Sequence, residues 1–370
     1  MLYYIYMSLL DSVKNILSSA KQTFATPGEE ILGIDIGSTS VKIVELHKKS
    51  GHVELFNYGE VALGPYDKKA IGDMAHLDTV TLSEAINYLL KVSTMQTRAA
   101  IIGVPATQSL VFLLTLPNAA RSNLAAVIPN EARKFIPVSL SEVVLDWLPL
   151  PFSLSETADT FQVLVAATRA EALAALREVA EKTGLIVYGY ELEIFAQIRA
   201  LLQNEISSVL LVDVGAIKTR ASVVRQGVVY SSRMLSFGAH GITNALARSM
   251  NIDFARAEDI KKQNGLTGGD TQVRNIIEPY ILQLVTELQS VLRQYETEYS
   301  TTIEKIMFLG GGVRMNGFIE FVSEKLAPVK CNRSNAFSAV AKPRFLDTVV
   351  DAIDPVFATS LGLAERHFDE

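Results

Sequence analysis

Apolar positions along this chain follow two rhythms that take turns. Runs rich in Ile, Val and Leu over 31–36, 41–47 and 53–63 have the spacing of strands, the third looser, as at a sheet edge. Around 83–91 the spacing becomes helical, with Leu82, Ile86, Leu89 and Leu90 on one face. A buried strand over 98–104 stops at Pro105. Three strands, a helix and a strand predict an α/β unit. Upstream, Leu9, Leu10, Val13, Ile16, Leu17, Ala20 and Phe24 recur at helical spacing. They predict an amphipathic helix that docks on its own domain or on a partner or membrane surface.

From 110 to 184 the pattern has another character. A strand (VFLLTLP), a helix over 123–135, strands over 143–148 and 161–167 around a polar loop, and a helix over 170–182 closed by Gly184 predict a small α+β insert. The α/β pattern then returns. A helix spans 192–203, a strand 208–214 breaks at Gly215, and a second strand spans 219–224. Helices follow over 238–250, 254–263 and 273–300. A strand over 306–309 runs into Gly310-Gly311-Gly312, and helices over 318–325 and 354–366 complete the pattern.

Two stretches echo each other. LGIDIGSTSVKIVEL and LLVDVGAIKTRASVV align with Asp35 over Asp213 and Gly37 over Gly215, which suggests two homologous lobes. Each is an apolar strand with one carboxylate, a glycine turn and a β-branched strand. Glycine at a strand end lets backbone N–H groups approach a ligand. Ser38, Thr39, Ser40 and Thr219 add hydroxyls, and Lys42 and Lys218 add a cation near each turn. Such a set suits a polyphosphate. Paired across a cleft, Asp35 and Asp213 would repel unless they hold a hydrated Mg²⁺. The Gly310-Gly311-Gly312 turn, opening toward a helix, suits a nucleotide base and sugar. No G-x-x-x-x-G-K-[ST] occurs, so this is no P-loop.

Composition narrows the classes. The net charge is −6 with acids and bases interspersed, so no nucleic-acid partner is expected. One cysteine excludes an internal disulfide and fits a reducing compartment. The histidines lack metal-ligand spacing. No apolar run reaches the ~18 residues of a membrane span, and the first residues lack the marks of a signal peptide.

The ordered set GIDIGSTSVK, VDVGAIKTRASVV and FLGGGVRMNGF resembles the phosphate-1, phosphate-2 and adenosine loops of the actin-like ATPases. Within that superfamily, and related to FtsA, the chain resembles the PilM family of type IV pilus assembly proteins over roughly residues 30–366. IGSTSVKIVEL is close to that family's phosphate-1 segment. RAAIIGVPATQSLVFLLTLP and NLAAVIPNEARKFIPVSLSEVVLDWLPL are similar to its inserted subdomain 1C, and DPVFATSLGLAER to its terminal helix.

The resemblance implies an α/β, actin-like (ribonuclease H-like) two-lobed ATPase fold with an inserted α+β subdomain 1C. Residues 1–29 would be the amphipathic segment, 30–108 and 185–206 subdomain 1A, and 109–184 subdomain 1C. Residues 207–245 and 305–370 would form 2A, and 246–304 would form 2B. It implies ATP and Mg²⁺ as ligands, with Asp35 and Asp213 positioning the metal. Gly37, Ser38, Thr39, Ser40 and Lys42 would contact the β- and γ-phosphates, closed by Gly215 and Thr219 from the other lobe. Gly238 and Gly241 would lie near phosphates or ribose, Glu258 and Lys261 along ribose and base, and Gly310, Gly311 and Gly312 on adenine or the α-phosphate. Glu193, ahead of Glu191, is the candidate to orient a hydrolytic water, and at most slow turnover is expected.

The implied partner is the N-terminal cytoplasmic tail of inner-membrane PilN, held in the 1A/1C groove. Other pilus platform proteins would also bind, and a homo-oligomer stays open. The protein would then be cytoplasmic, held at the inner face of the membrane by its partners. Two other assignments stay open here: an FtsA-like division protein of the same fold, and a sugar or acetate kinase of the superfamily.

Overall fold

The computed structural model describes residues 28–150 and 159–368. The helix expected upstream of residue 28, and most of the polar loop of the insert, lie outside the described residues.

Two five-stranded sheets repeat one plan. In the first, β1 (Glu30–Ile36), β2 (Ser40–Lys49) and β3 (His52–Ala62) form an antiparallel meander. Strands β4 (Ala99–Val104) and β8 (Ile186–Leu192) continue it in parallel, giving the order β3-β2-β1-β4-β8. In the second, β9 (Ser208–Val214), β10 (Thr219–Arg225) and β11 (Val228–Leu235) are the meander. Strands β12 (Lys305–Leu309) and β13 (Lys330–Arg333) are parallel to β9, giving β11-β10-β9-β12-β13. The echo in the sequence is therefore a repeat of topology. Strands β8, β11 and β13 were not evident in the sequence. β8 and β13 lie at parallel edges, where half-exposed residues blur any alternation, and a Ser-Ser-Arg run interrupts β11.

The insert is a three-stranded antiparallel sheet of β5 (Ser109–Pro117), β7 (Thr160–Arg169) and β6 (Val143–Pro149), in that order. Alternation along β7 divides its side chains between two cores. Phe161, Val163 and Val165 join Leu114, Leu116 and Ile128 in a core of the insert's own, while Leu164 faces the main body with Leu148 and Leu150. The insert's helix α2 (Leu124–Ala132) is shorter than the expected 123–135, because residues 118–123 form a 3₁₀ turn and the chain turns again after Ala132.

Helix α3 (Ala170–Thr183) closes the stretch expected as the insert. Its buried Leu173, Leu176 and Val179 belong to the main core, and it packs on α1 (Thr79–Val92). An apolar face goes where matching surface lies, and here that surface is on the first lobe.

Helix α9 (Asp347–Glu365) binds the halves together. It begins well before the expected 354, with Pro355 inside it and not in its first turn. It lies against β1 and α4 (Glu193–Leu201) so closely that a Cβ on Gly33 would fall 1.9 Å from the Ser360 carbonyl oxygen. Beside it, Glu191 and Arg199 form a buried two-pronged ion pair at 2.8 and 2.9 Å, and Arg199 also donates to the Gly362 carbonyl at 2.7 Å. That pairing makes Glu191 a structural residue linking β8, α4 and α9, and leaves Glu193 to face the cleft.

Candidate functional site

The two meanders aim their first turns at each other. Each turn is closed by the same bond: Gly37 N–H donates to the Ser40 carbonyl (3.0 Å), and Gly215 N–H to the Lys218 carbonyl (3.2 Å). Strand register then fixes what stands opposite each acid. Asp35 pairs with Lys42, and Asp213 pairs with Arg220. Lys218, the lysine near the second turn, occupies the place of Ser40, and the counterpart of Lys42 is Arg220, as the alignment of the two stretches has it.

Between the lobes lies a cleft of about 640 Å³. Asp35, Gly37, Ser38, Thr39, Ser40 and Lys42 line it from the first lobe, and Asp213 and Gly215 from the second. Glu193, Glu258, Lys261, Gly310, Gly311 and Gly312 complete the expected residues that the structure brings together there.

Three expected residues are placed elsewhere. Thr219 is fully buried, on the opposite strand face from Arg220, with its hydroxyl unpartnered. A Cβ on Gly238 would come within 2.3 Å of the Ile217 backbone, so this glycine lets α5 (Ala239–Met250) start against the second turn. Gly241 faces the Tyr280 ring, and Ala239 and His240 line the cleft in their stead. The triple glycine also divides its work. Gly310, at φ 90°, passes so near β9 that a Cβ would lie 2.5 Å from Asp213 Oδ1, whereas Gly311 faces open space.

The cleft floor is a network of charge. Lys42 Nζ stands 3.7 Å from Asp35 Oδ2. Burial pushes the Asp35 carboxyl above its ordinary range; Lys42 opposes the shift and the Asp213 charge adds to it. Asp213 Oδ2 accepts from Gln197 Nε2 at 2.7 Å and stands 3.6 Å from Arg220 Nη2. Gln197 also accepts from Arg220 Nη2 at 2.7 Å and donates to Thr359 at 2.9 Å. Glu193 Oε2 accepts from the Ala106 N–H at 3.1 Å and from Arg220 Nη1 at 3.4 Å. Three carboxylates thus converge on two cations. The donors are all oxygens, the two aspartates disfavour each other's charge, and a hydrated Mg²⁺ fits that set.

Burial, with Arg220 opposing and both aspartates adding, pushes the Glu193 carboxyl up to about 8. The folded state therefore holds this proton more tightly than the unfolded chain. The stability it contributes is full below 4.5 and is lost as pH rises through about 8. Glu193→Gln mimics the protonated form. Thermal melts should show the variant matching the wild type at the acid end of that window and gaining on it toward the alkaline end. A constant difference across the window would contradict the shift.

At the other end, Lys261 Nζ meets Glu258 Oε2 at 2.6 Å, and both reach the Thr243 hydroxyl on α5. Burial works against ionising both groups. For Glu258 the Lys261 charge and hydrogen bonds more than offset this and hold its carboxyl below the ordinary range. A strap from the first lobe crosses here. Ala75 N–H donates to the Ser38 carbonyl at 3.1 Å, Gly72 lies against Glu258, and Asp73 meets His240 Nε2 at 2.7 Å. Gln197, Thr359 and this strap were not found in the sequence, since none forms a local motif.

Comparison with known proteins places this geometry. A family model described as "Type IV pilus assembly protein PilM" matches residues 33–368. The chain belongs to the PilM family. That membership sets aside the division-protein and sugar-kinase alternatives. Among solved structures, a PilM–PilN type IV pilus biogenesis complex is similar at a TM-score of 0.79 and 28% identity, covering 92% of this chain and 99% of that one. Two more distant structures share the fold. Ethanolamine utilization protein EutJ from Carboxydothermus hydrogenoformans has a TM-score of 0.54 and 15% identity over 98% of this chain and 99% of that one. MreB5 of Spiroplasma citri, bound to ADP in that structure, has a TM-score of 0.53 and 12% identity over 90% and 94%. The chain thus has the actin-like two-lobed fold with mixed α/β sheets.

Proposed function

We propose that this protein is a nucleotide-dependent scaffold of type IV pilus assembly, binding ATP with Mg²⁺ between its lobes and a PilN-type cytoplasmic tail beside its insert. The observation that carries the reading is the likeness to a PilM–PilN complex over 92% of the chain, joined to a cleft whose two glycine turns each present one acid and one cation. Asp35 and Asp213 would hold the metal, partly through water, and the metal would neutralise phosphate charge. The turns at 37–40 and 215–218 would offer backbone N–H groups and hydroxyls to the phosphates. Glu258 and Lys261 would line ribose and base.

Glu193 is the group placed to orient water. Its carboxylate oxygen is already engaged by the Ala106 N–H and by Arg220, and we expect slow or no turnover. Nucleotide would act by setting the lobe arrangement, and so the affinity for the partner. The tail would lie in a groove between the main body and the insert. No helix among the described residues is long and apolar enough to cross a membrane. Membrane association would come through the partner, on the cytoplasmic side.

Calorimetric titration of PilN N-terminal peptides, with and without ATP and Mg²⁺, tests the reading. Saturable binding whose affinity changes with nucleotide is expected. Normal ATP binding with no peptide binding would overturn the partner assignment.

A further inference from the structure

Arg220 stands where Lys42 stands in the first turn's pattern, and its surroundings give it a place along the cleft. At one end Glu258 and Lys261 touch Thr243 on α5. The start of that helix rests on the second turn, where His240 N–H donates to the Ala216 carbonyl at 2.8 Å. That turn leads through β10 to Arg220, whose guanidinium reaches Asp213, Gln197 and Glu193 at the cleft floor. A nucleotide with its base toward Glu258 and its phosphates between the turns would present its last phosphate to this floor.

We infer that Arg220 reads the terminal phosphate of the bound nucleotide and so separates a nucleoside triphosphate from a diphosphate. The inference rests on the nucleotide reading above and deepens it. A guanidinium carries five N–H donors in a planar fork. Hydrogen bonds to Gln197 and Glu193 engage one nitrogen each, Nη2 and Nη1, and leave donors for a ligand. Those bonds hold the fork in place before any ligand arrives, the arrangement that makes Arg–phosphate recognition strong. The register gives the same logic from the other side. Lys42 answers Asp35 in one lobe and Arg220 answers Asp213 in the other, so each jaw contributes one cation. A diphosphate ends short of Arg220; a triphosphate reaches it.

The test is calorimetry with ATP and with ADP, both with Mg²⁺, on wild type, Arg220→Gln, Arg220→Lys and Lys261→Ala. Arg220→Gln should weaken ATP about tenfold or more while ADP changes less than about threefold. Arg220→Lys, which keeps the charge and loses the fork, should fall between. Lys261→Ala, at the base end, should weaken both nucleotides by a common factor. A merely structural role for Arg220 moves both affinities together, so an unchanged ATP-to-ADP ratio in both Arg220 variants overturns the inference while leaving the nucleotide reading intact. If thermal melts show Arg220→Gln misfolded, Arg220→Lys decides by the same ratio. Wild type that binds neither nucleotide overturns the nucleotide reading and this inference with it.

Discussion

Asp213→Ala should weaken Mg²⁺-dependent ATP binding about a hundredfold, roughly 2.7 kcal/mol. Three roles meet at this one carboxylate. It lines the cleft, where on the proposed reading it would position the metal, it accepts from Gln197 at 2.7 Å, and it stands 3.6 Å from Arg220. Removing it takes away a ligand for the cation and frees Arg220 and Gln197 from a common partner. The guanidinium would then turn toward Glu193. Asp35→Ala should act in the same direction with less effect, because among the described residues the side-chain partner of Asp35 is Lys42, at 3.7 Å. Titration of ATP into each variant with Mg²⁺ present measures both. ATP binding at wild-type affinity in both would show that the cleft is not the nucleotide site.

The second large effect is on stability. Arg199→Met should cost about 3–5 kcal/mol of unfolding free energy, since it strands a buried carboxylate. Glu191 and Arg199 are 4% and 3% exposed, and the guanidinium also carries the Gly362 carbonyl. The double variant Glu191→Leu with Arg199→Met should recover much of the loss, because both charges then leave the interior together. The effect would reach the cleft, since β8, α4 and α9 all meet at this pair and α9 contributes Thr359 to the lining. Urea unfolding curves of the single and double variants measure the coupling. A single variant that unfolds like the wild type would refute this account of how the halves are joined.

What the sequence disclosed follows from where its signals are local. ILGIDIGSTSVKIVEL and LLVDVGAIKTRASVV carry strand period, turn glycine and acid within one short window, so the two hairpins and their equivalence were legible. The same alignment sets Lys42 over Arg220, and the register of β9 on β10 gives Arg220 that place. What depends on backbone distant in sequence was not legible. Glycine is ambiguous for the same reason. Gly311 faces open space, while Gly310 and Gly238 are needed where backbones or a carboxylate pass close by. The packing of α3's apolar face on helix α1 was not legible either, because α1 is distant in sequence. The His240–Asp73 contact joins residues 167 apart, and no local pattern records it.

The most direct test of the account is a calorimetric titration of ATP into the wild-type protein, with Mg²⁺ and again with EDTA. The account predicts saturable one-to-one binding with Mg²⁺ that weakens sharply when the metal is removed. No binding in either condition, or binding indifferent to the metal, would contradict it.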